Sequence, residues 1–141
     1  WKVKWFVGDL ARLPLLDQSM NLLLDIFSPA NYQEFKRVLA PDGRLIKVIP
    51  TATHLQEIRQ KVKDHLDQVD YSNEQIIQHF SDHFTIENTI HCQETFELTP
   101  ALREALLSMT PLLFHVDPAQ IDWTDLTQIT ISATILIGRS N

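Results

Sequence analysis

Residues 8–29 read GDLARLPLLDQSMNLLLDIFSP, and this stretch decides the fold. Its second half, from Leu22 to Phe27, is apolar at nearly every position, which is typical of a parallel strand buried on both faces. Ser28-Pro29 then ends that strand. Ahead of the stretch, Val3, Trp5 and Val7 alternate with Lys2 and Lys4. This alternation predicts a short strand from Val3 to Val7 that stops at Gly8-Asp9.

The residues after Pro29 continue an alternation of helix and strand. Apolar residues recur at helical spacing from Tyr32 to Leu39. Pro41-Asp42-Gly43 breaks that helix before a strand from Leu45 to Ile49. Strand, loop, strand, helix and strand in this order indicate parallel strands joined by a helix. We therefore predict an α/β fold built on a parallel sheet.

Two capping boxes predict the helices that come next. Thr53 with Gln56 opens a helix from His54 to about Gln68, and Ser72 with Gln75 opens a shorter one. The first of these helices carries apolar residues in one stripe, which indicates that a single face packs on the core.

The last third of the chain predicts two long strands with a helix between them. Apolar and polar residues alternate from Phe84 to Leu98, as in a half-exposed antiparallel strand. Thr99-Pro100 begins a helix that runs to Met109, with proline in its first turn. In the final strand, from Ile129 to Ile137, odd positions are apolar and threonine or serine lies on the other face.

Composition narrows the class of protein. The 141 residues, 44% hydrophobic and 21% charged, match one compact globular domain, and no apolar stretch is long enough to cross a bilayer. The one cysteine, Cys92, permits neither an internal disulfide nor a thiolate zinc site, so a cytoplasmic location is expected. The net charge of -6 argues against a strong phosphate-binding surface on this chain. Residues 1–9 lack an initiator methionine and a signal peptide, so we expect the chain to begin inside a fold.

Two motifs in this order carry a resemblance to a known class of enzyme. Gly8 to Leu15 with Asp17 to Asn21 resembles the "GDA..LPF.D.SFD" stretch of class I S-adenosylmethionine (SAM) dependent methyltransferases. Arg37 to Leu45 is similar to their "R.LKPGG.L" turn before the fifth strand. The resemblance implies the second half of a Rossmann-like, doubly wound sheet that ends in an antiparallel strand pair.

A narrower resemblance covers nearly the whole chain. Ile26 to Pro29, Ile49-Pro50 with His54-Leu55 and Glu57, and Leu107 to Pro111 look like the 23S ribosomal RNA (guanine-N1)-methyltransferases. This resemblance implies methyl transfer from SAM to N1 of a guanine in 23S rRNA. The family also has an amino-terminal zinc knuckle and a glycine-rich cofactor loop.

Neither of those two features is found here. The one cysteine does not make a zinc knuckle, and none of the three glycines lies in a GxGxG pattern. Residues 1–141 are therefore expected to form part of a catalytic domain, with zinc only in the missing amino-terminal region. We also expect that this fragment alone binds SAM poorly or not at all and is inactive.

The resemblance implies cofactor contacts at Asp9, Leu10 and His54. In the wider class, the position of Asp9 accepts a hydrogen bond from the adenine amino group, and the next backbone N–H, that of Leu10, meets a ring nitrogen. From position alone, Asp9 is equally well a loop-capping residue. His54 lies at a helix start where it would meet a carboxylate, although a solvent-exposed first-turn residue is as good an interpretation.

Residues at the end of the Leu22 to Phe27 strand are expected to lie near the substrate, namely Ile26, Phe27, Ser28 and Pro29. Phe27 is placed to stack on a base, although an aromatic residue at a strand end is more often part of a core. Asp25 is one candidate base for the guanine N1 proton, and a purely structural carboxylate is the alternative. The catalytic residue is left open.

The other histidines show no pattern of metal ligands, so no metal is assigned. His79 and His83 are four residues apart, and no third ligand is evident.

Two other functions remain open on the sequence. The same motifs occur in small-molecule methyltransferases of this fold, and the chain could also be a non-catalytic interaction domain that kept the sheet. The expected partner is 23S rRNA, with no membrane.

An unprotected strand edge predicts a further partner. The strand from Leu22 to Phe27 lacks lysine or proline at an edge that the truncation would open. Either a homodimer through that edge or a move of Val3 to Val7 into the vacancy beside it is therefore expected.

Overall fold

The computed structural model describes residues 2–65, 71–114 and 116–141, apart from the side chains of His65 and Pro118. Within these residues a mixed α/β fold is observed, which confirms the predicted class. The strands are β1 (Met20–Ile26), β2 (Leu39–Pro50), β3 (Phe84–Glu97) and β4 (Gln128–Ser140), and the α-helices are α1 (Tyr32–Val38), α2 (Gln56–Val62), α3 (Glu74–Ser81) and α4 (Pro100–Met109). Short 3-10 turns cover Lys63–His65, Pro111–Leu113 and Pro118–Gln120.

The four strands form one sheet in the order β1-β2-β4-β3. β1 and β2 are parallel, as predicted for a pair joined by a helix, and Asp25 lies directly beside Lys47 in their register. β3 and β4 run antiparallel, since His91 contacts Thr134 while Thr95, further along β3, contacts the earlier Thr130. The predicted antiparallel pair at the end of the chain is therefore confirmed.

The chain divides into two compact units, and each has a core of its own. The first unit comprises Trp1–Ile49, Glu74–Ile90 and Ile135–Asn141, and the second comprises Pro50–Asn73 and His91–Thr134. Buried residues of the first core are Tyr32, Phe35, Leu39, Leu45, Ile49, Phe80, Phe84 and Leu136. Those of the second are Ile58, Val62, Leu113, Val116, Leu126 and Ile129.

Helix α1 is capped locally and leads directly into β2. The side chain of Asn31 accepts a hydrogen bond from the backbone N–H of Glu34, which begins the helix. β2 then starts at Leu39 and includes residues 41–43, so the predicted break at Pro41-Asp42-Gly43 is instead an irregularity within the strand. At Gly43 a Cβ would lie 2.8 Å from Leu39 Cδ2 and 3.0 Å from the carbonyl oxygens of Ala40 and Met20, so a side chain there would force these neighbours to shift.

The predicted strand from Val3 to Val7 is wrong. Residues 2–8 have no regular structure, and the side chains of Trp5 and Val7 are exposed. An alternating segment becomes a strand only when a neighbour pairs with its backbone. Among the described residues, the nearest pairing is a bridge between Asp9 and Arg12. The predicted move of this segment to the edge of β1 is also not observed, because β1 is the outermost strand of the sheet.

β1 is buried on one face, not on both as its composition predicts. Asp25 is buried and Leu23 packs on the first core, whereas Leu22, Leu24 and Ile26 are about half exposed or more. These three side chains share the opposite face, because successive residues of a strand alternate. An outermost strand needs a covering layer on both faces to be fully buried, and the described residues supply one on the core side.

The helix predicted from His54 to Gln68 begins two residues later, and its capping box is wrong. α2 begins at Gln56, its cap residue Leu55 has a φ of 53°, and no side chain caps it. The Thr53 hydroxyl donates to the side-chain oxygen of Gln93 at 2.8 Å, because this tertiary partner competes with the local one. The predicted end near Gln68 lies outside the described residues.

β3, α3 and α4 agree with the sequence patterns, and the differences are in burial. α4 starts as predicted, with the Thr99 hydroxyl accepting from the N–H of Leu102 and proline in the first turn. Met109, expected in the core, is exposed. β3 is exposed along most of both faces because it is the other edge of the sheet.

Candidate functional site

Arg37 and Glu34 of α1 hold the loop that follows Asp9. The Arg37 guanidinium donates to the carbonyl oxygens of Leu13 and Leu15, at 3.0 and 2.9 Å, and to the carboxylates of Asp17 and Glu34. Glu34 also accepts the backbone N–H of Leu13 at 2.7 Å. One planar guanidinium thus joins a helix to three points of a loop, which a lysine is unable to do.

The charges of this pair reinforce each other. The hydrogen bond from Arg37 holds the pKa of the Glu34 carboxyl below its usual range, against the effect of burial, and the N–H of Leu13 adds to this. The same bond, with a second one to Asp17, raises the pKa of Arg37. Both groups are therefore ionised across the physiological range. A shallow surface hollow is lined by residues 11–17 together with Glu34 and Arg37.

Asp9 lies at the start of this loop and is exposed. Its carboxylate accepts the backbone N–H of Ala11 at 2.9 Å, and its carbonyl oxygen accepts that of Arg12 at 3.0 Å. This is the loop-capping geometry that position alone suggested. One carboxylate oxygen orders the turn, so an adenine amino group would bind through the other oxygen. Leu10 packs its side chain on the first core.

A buried cluster of polar groups lies at the end of β1. Lys47 Nζ donates to Asp25 Oδ2 at 2.6 Å and to the carbonyl oxygen of Ser28 at 3.1 Å. The Ser28 hydroxyl donates to the other oxygen of Asp25. Asp25 and Lys47 are 4% and 3% exposed, so this is an ion pair shielded from water.

This cluster bears on the question of the catalytic base. Both carboxylate oxygens of Asp25 accept hydrogen bonds, one of them from a cation. Lys47 and Ser28 thus occupy both oxygens of a side chain that is buried away from the surface. The geometry therefore favours the structural interpretation of Asp25.

Phe27, between Ile26 and Ser28, has a left-handed backbone. Its φ is 50°, although a bulky residue rarely adopts a positive value, and its N–H donates to the carbonyl oxygen of Val48 at 3.0 Å. About half of its side chain is exposed. Strain of this kind persists only where neighbouring contacts impose it, and it is concentrated at functional sites.

Tyr32 lies close behind this strand end, in a group of aromatic rings. It is buried, stacks on His83 at 5.2 Å between ring centroids and meets the edge of His79 at 5.0 Å. Burial, with the negative charge of Asp25, raises the pKa of Tyr32 to about 12. The phenol is therefore neutral at physiological pH and packs as part of the core.

His54 and Glu57 extend the sheet beyond the end of β2. Thr51 and Leu55 donate their backbone N–H groups to the carbonyl oxygens of Ser132 and Thr130 on β4, at 3.1 and 2.8 Å. In return, His54 Nδ1 accepts the N–H of Ser132 at 3.2 Å, and Glu57 Oε2 accepts that of Thr130 at 3.0 Å. Side chains thus replace backbone carbonyls as acceptors for successive inward-facing N–H groups of β4.

The protonation of these two side chains follows from that role. Burial, with the charge of Arg59, lowers the pKa of His54. Burial raises the pKa of Glu57, but the two hydrogen bonds from Thr130 outweigh it, and the net shift is downward. Neutral histidine and ionised glutamate are the two forms that accept these hydrogen bonds.

Partners of this kind bury the face of β4 that carries hydroxyl groups. Thr130, Ser132 and Thr134 are each 2–3% exposed. Ser132 accepts the hydroxyl of Thr51 at 2.6 Å, and Thr134 contacts Nδ1 of His91 at 3.0 Å. Polar residues that alternate along a strand usually mark a solvent face, and here they mark a hydrogen-bonded interior.

The residues predicted for the site fall in both compact units. Asp9, Leu10 and the segment from Ile26 to Pro29 belong to the first unit, and His54 belongs to the second. Lys47 was missed by the sequence analysis. Its signal was a single basic residue within an apolar strand, matched by the single acidic residue Asp25 in the strand before it.

Asp9 is the described residue that bears on a SAM site. Its carboxylate lies at the start of a loop that Arg37 holds in place. The sequence has no glycine-rich loop to meet the other half of the cofactor. These residues fit the adenine side of a SAM site and leave the methionine side unprovided.

Among the described residues, no helix is long and apolar enough to span a membrane. No group of three histidine, cysteine or acidic side chains in that part of the chain is placed to hold a metal ion. Cys92 is a free thiol on β3.

Comparison with known sequences gives relatives of one kind, although no protein-family model matches the chain. A candidate 23S rRNA (guanine-N1)-methyltransferase of Bacillus subtilis, YxjB, is 34% identical over 137 residues, which cover 95% of this chain and 49% of that protein. A candidate enzyme of the same name from Micromonospora griseorubida is 35% identical over 78% of this chain and 37% of its own length. A 23S rRNA (guanine(748)-N1)-methyltransferase of Streptomyces fradiae is 26% identical and covers 90% of this chain and 47% of its own.

Solved structures with this fold are methyltransferase-like. A candidate methyltransferase of Bacillus halodurans superposes with a TM-score of 0.53 at 14% identity, over 94% of this chain and 69% of that one. The MccD protein superposes with a TM-score of 0.56 at 16% identity, over 98% and 68%. At these identities the likeness concerns the fold alone.

The chain spans about half the length of the curated relatives it matches. Within that half, the motif from Gly8 to Asn21 includes the loop that the clamp formed by Arg37 and Glu34 holds, and the motif from Arg37 to Leu45 runs from the end of α1 into β2. The chain thus has a class I, Rossmann-like methyltransferase fold and is similar over nearly all of its length to proteins named 23S rRNA (guanine-N1)-methyltransferases.

Proposed function

We propose that this chain is part of a SAM-dependent methyltransferase that acts on N1 of a guanine in 23S rRNA. The similarity to three proteins with this name, which extends over up to 95% of the chain, is the observation that supports it most directly. The arrangement of sheet and helices resembles that of a solved candidate methyltransferase, and this likeness of fold is compatible with the proposal.

The chemistry fits a site that positions its substrates and excludes water. SAM supplies an electrophilic methyl group on a sulfonium, and the guanine N1 that receives it loses its proton. Transfer needs the two reacting atoms held in line, which contributes more than acid-base assistance when the electrophile is already activated. In this proposal Asp9 and the N–H of Leu10 hold the adenine, and the segment from Ile26 to Pro29 lies beside the target base.

The proposal keeps His54 as a residue that contacts the cofactor. Its Nδ1 is committed to Ser132, so a contact with the cofactor would come from another edge of the ring. The catalytic base is not assigned to this chain, because Asp25 is paired with Lys47.

A small-molecule methyltransferase is the second candidate, and the charge of the chain favours it. Lysine and arginine number 12 against 18 aspartate and glutamate residues. A net charge of -6 gives little attraction for an RNA backbone, so under the leading proposal most phosphate contacts come from outside these 141 residues.

The test uses the full-length gene product and SAM labelled in its methyl group. We expect label to enter 23S rRNA taken from cells that lack the gene, and not to enter rRNA from cells that have it. Methylation of N1 removes a Watson-Crick donor, so a reverse transcriptase should stop one nucleotide before the modified guanine. Absence of label in rRNA, with turnover on small acceptors instead, would favour the second candidate.

A further inference from the structure

Burying the ion pair between Asp25 and Lys47 costs free energy when the chain folds. Desolvating two charges costs several kcal/mol for each ion, and replacing such a pair by apolar residues is often neutral or stabilising. In this strand pair an apolar pair would fit, since the neighbouring positions Leu23 and Leu45 are apolar and partly or fully buried. Stability alone therefore does not explain why this strand pair contains an ion pair.

The contacts of Lys47 indicate what the ion pair does. Two of its donors are used, one on Asp25 and the other on the carbonyl oxygen of Ser28, which is outside β1. The Ser28 hydroxyl returns to Asp25. The pair thus grips the backbone on the carboxyl side of Phe27, while the N–H of Phe27 itself is held by Val48.

These contacts act on the one residue of the strand end that has a strained backbone. A φ of 50° at a phenylalanine is unfavourable, and the grip on Ser28 and the bond to Val48 flank it on both sides. The result is an aromatic side chain that is 49% exposed at the carboxyl end of a parallel strand. Ligands of open α/β sheets bind at this end of the strands.

We infer that Asp25 and Lys47 are positioning residues that hold the ring of Phe27 as a stacking platform for the target guanine. This rests on the proposed function and extends it to two residues for which the comparisons assign no role. Lys47 and Asp25 do not touch the base. They act through the backbone of Phe27 and Ser28.

The test is a double-mutant cycle in the full-length gene product, with steady-state methylation of 23S rRNA as the assay. Phe27→Ala should raise the KM for RNA roughly ten- to a hundredfold, the range for loss of one base-aromatic stack, and Phe27→Tyr should not. Lys47→Met should raise the same KM by a similar factor in the wild-type background. It should have little further effect in the Phe27→Ala background, because its influence passes through that ring.

The dissociation constant for SAM separates positioning from a general defect and should stay within about twofold in each variant. Arg44→Met is the matched control, because it removes another basic residue of β2, one that is paired with Glu87 on β3. It should leave the RNA KM unchanged. If Lys47→Met does not fold, Asp25→Asn combined with Lys47→Met leaves no lone buried charge and enters the same cycle. Ser28→Ala removes only the hydroxyl that donates to Asp25, so it should raise the RNA KM less than Lys47→Met does.

The outcomes are distinct. Additive effects of Lys47→Met and Phe27→Ala on the RNA KM, or an unchanged KM in both, would overturn the inference while the proposed function stands. A wild-type protein that methylates no rRNA would remove the proposed function and this inference with it. Loss of SAM affinity in Lys47→Met would show a general structural role and would also overturn it.

Discussion

Replacement of Glu57 tests whether its side chain is part of the sheet. Glu57→Ala removes the acceptor of two hydrogen bonds from Thr130, from its N–H at 3.0 Å and from its hydroxyl at 2.5 Å. The hydroxyl keeps a partner in Thr95, at 3.2 Å. The N–H, on a strand residue that is 2% exposed, has lost its partner, and an orphaned buried donor costs roughly 1–3 kcal/mol.

The expected loss is therefore about 2 kcal/mol in the free energy of unfolding. Glu57→Gln keeps one carbonyl oxygen for the N–H and should lose about half as much. Urea titration followed by circular dichroism measures these values, with an unchanged m-value as the check that the transition remains comparable. Glu104→Ala, an exposed glutamate of helix α4, is the matched control and should change stability by less than about 0.5 kcal/mol.

The pH dependence of this effect has a definite sign. Glu57 has a lowered pKa in the folded chain, so the unfolded chain takes up the proton first as the pH falls. Its contribution is complete above the unfolded pKa of about 4.3 and is lost as the pH falls through the folded value. The difference between wild type and Glu57→Gln should shrink accordingly. A Glu57→Ala variant as stable as Glu104→Ala would refute the role in the sheet.

Three other predictions follow from the described contacts. His54→Ala should cost roughly 1–3 kcal/mol in the free energy of unfolding, because the N–H of Ser132 loses its acceptor. Since burial lowers the pKa of His54, the wild type should also lose stability as the pH falls below about 6.5. A His54→Asn variant with the same pH profile as the wild type would contradict this. Gly138→Ala places a Cβ 2.7 Å from the Phe80 ring and should lower the free energy of unfolding, measured by thermal unfolding, by roughly 1–3 kcal/mol. The loss should be smaller when Phe80→Leu is also present. Strictly additive losses would count against this contact. Arg37→Lys in the full-length gene product should weaken SAM binding severalfold by equilibrium dialysis, because one ammonium does not reproduce a planar fork; unchanged affinity would separate the clamp from the cofactor.

Elements with local signals could be predicted from the sequence. α4 begins at Thr99-Pro100 because the hydroxyl cap and the proline both act within the first turn. β3 was recognisable from the alternation of apolar and polar residues between Phe84 and Leu98. Signals of this kind depend on the residues of one element, and a single sequence contains all of them.

Elements whose state depends on a distant partner could not be predicted in the same way. Val3 to Val7 alternates as well as β3 does, yet no described strand pairs with it and it stays irregular. Thr53 has the spacing of a capping box, yet its hydroxyl bonds to Gln93, which is 40 residues away. In both cases the local pattern was present, and a tertiary contact, or its absence among the described residues, decided the outcome.

Several residues of the candidate site depend on such distant partners, which limits what a motif match implies. His54-Leu55 and Glu57 carry part of the resemblance to methyltransferases, and that resemblance implies a cofactor contact for His54. In the fold, His54 and Glu57 accept the N–H groups of Ser132 and Thr130. A sheet that continues past the end of β2 needs acceptors at this spacing whether or not a cofactor is nearby. Resemblance at these positions is therefore explained by the closure of the sheet, and a cofactor contact by His54 requires evidence that the motif does not provide. Asp9 differs, because its exposed carboxylate needs only one oxygen for its own turn. Of the predicted cofactor residues, it is the better first target for a measurement of SAM affinity.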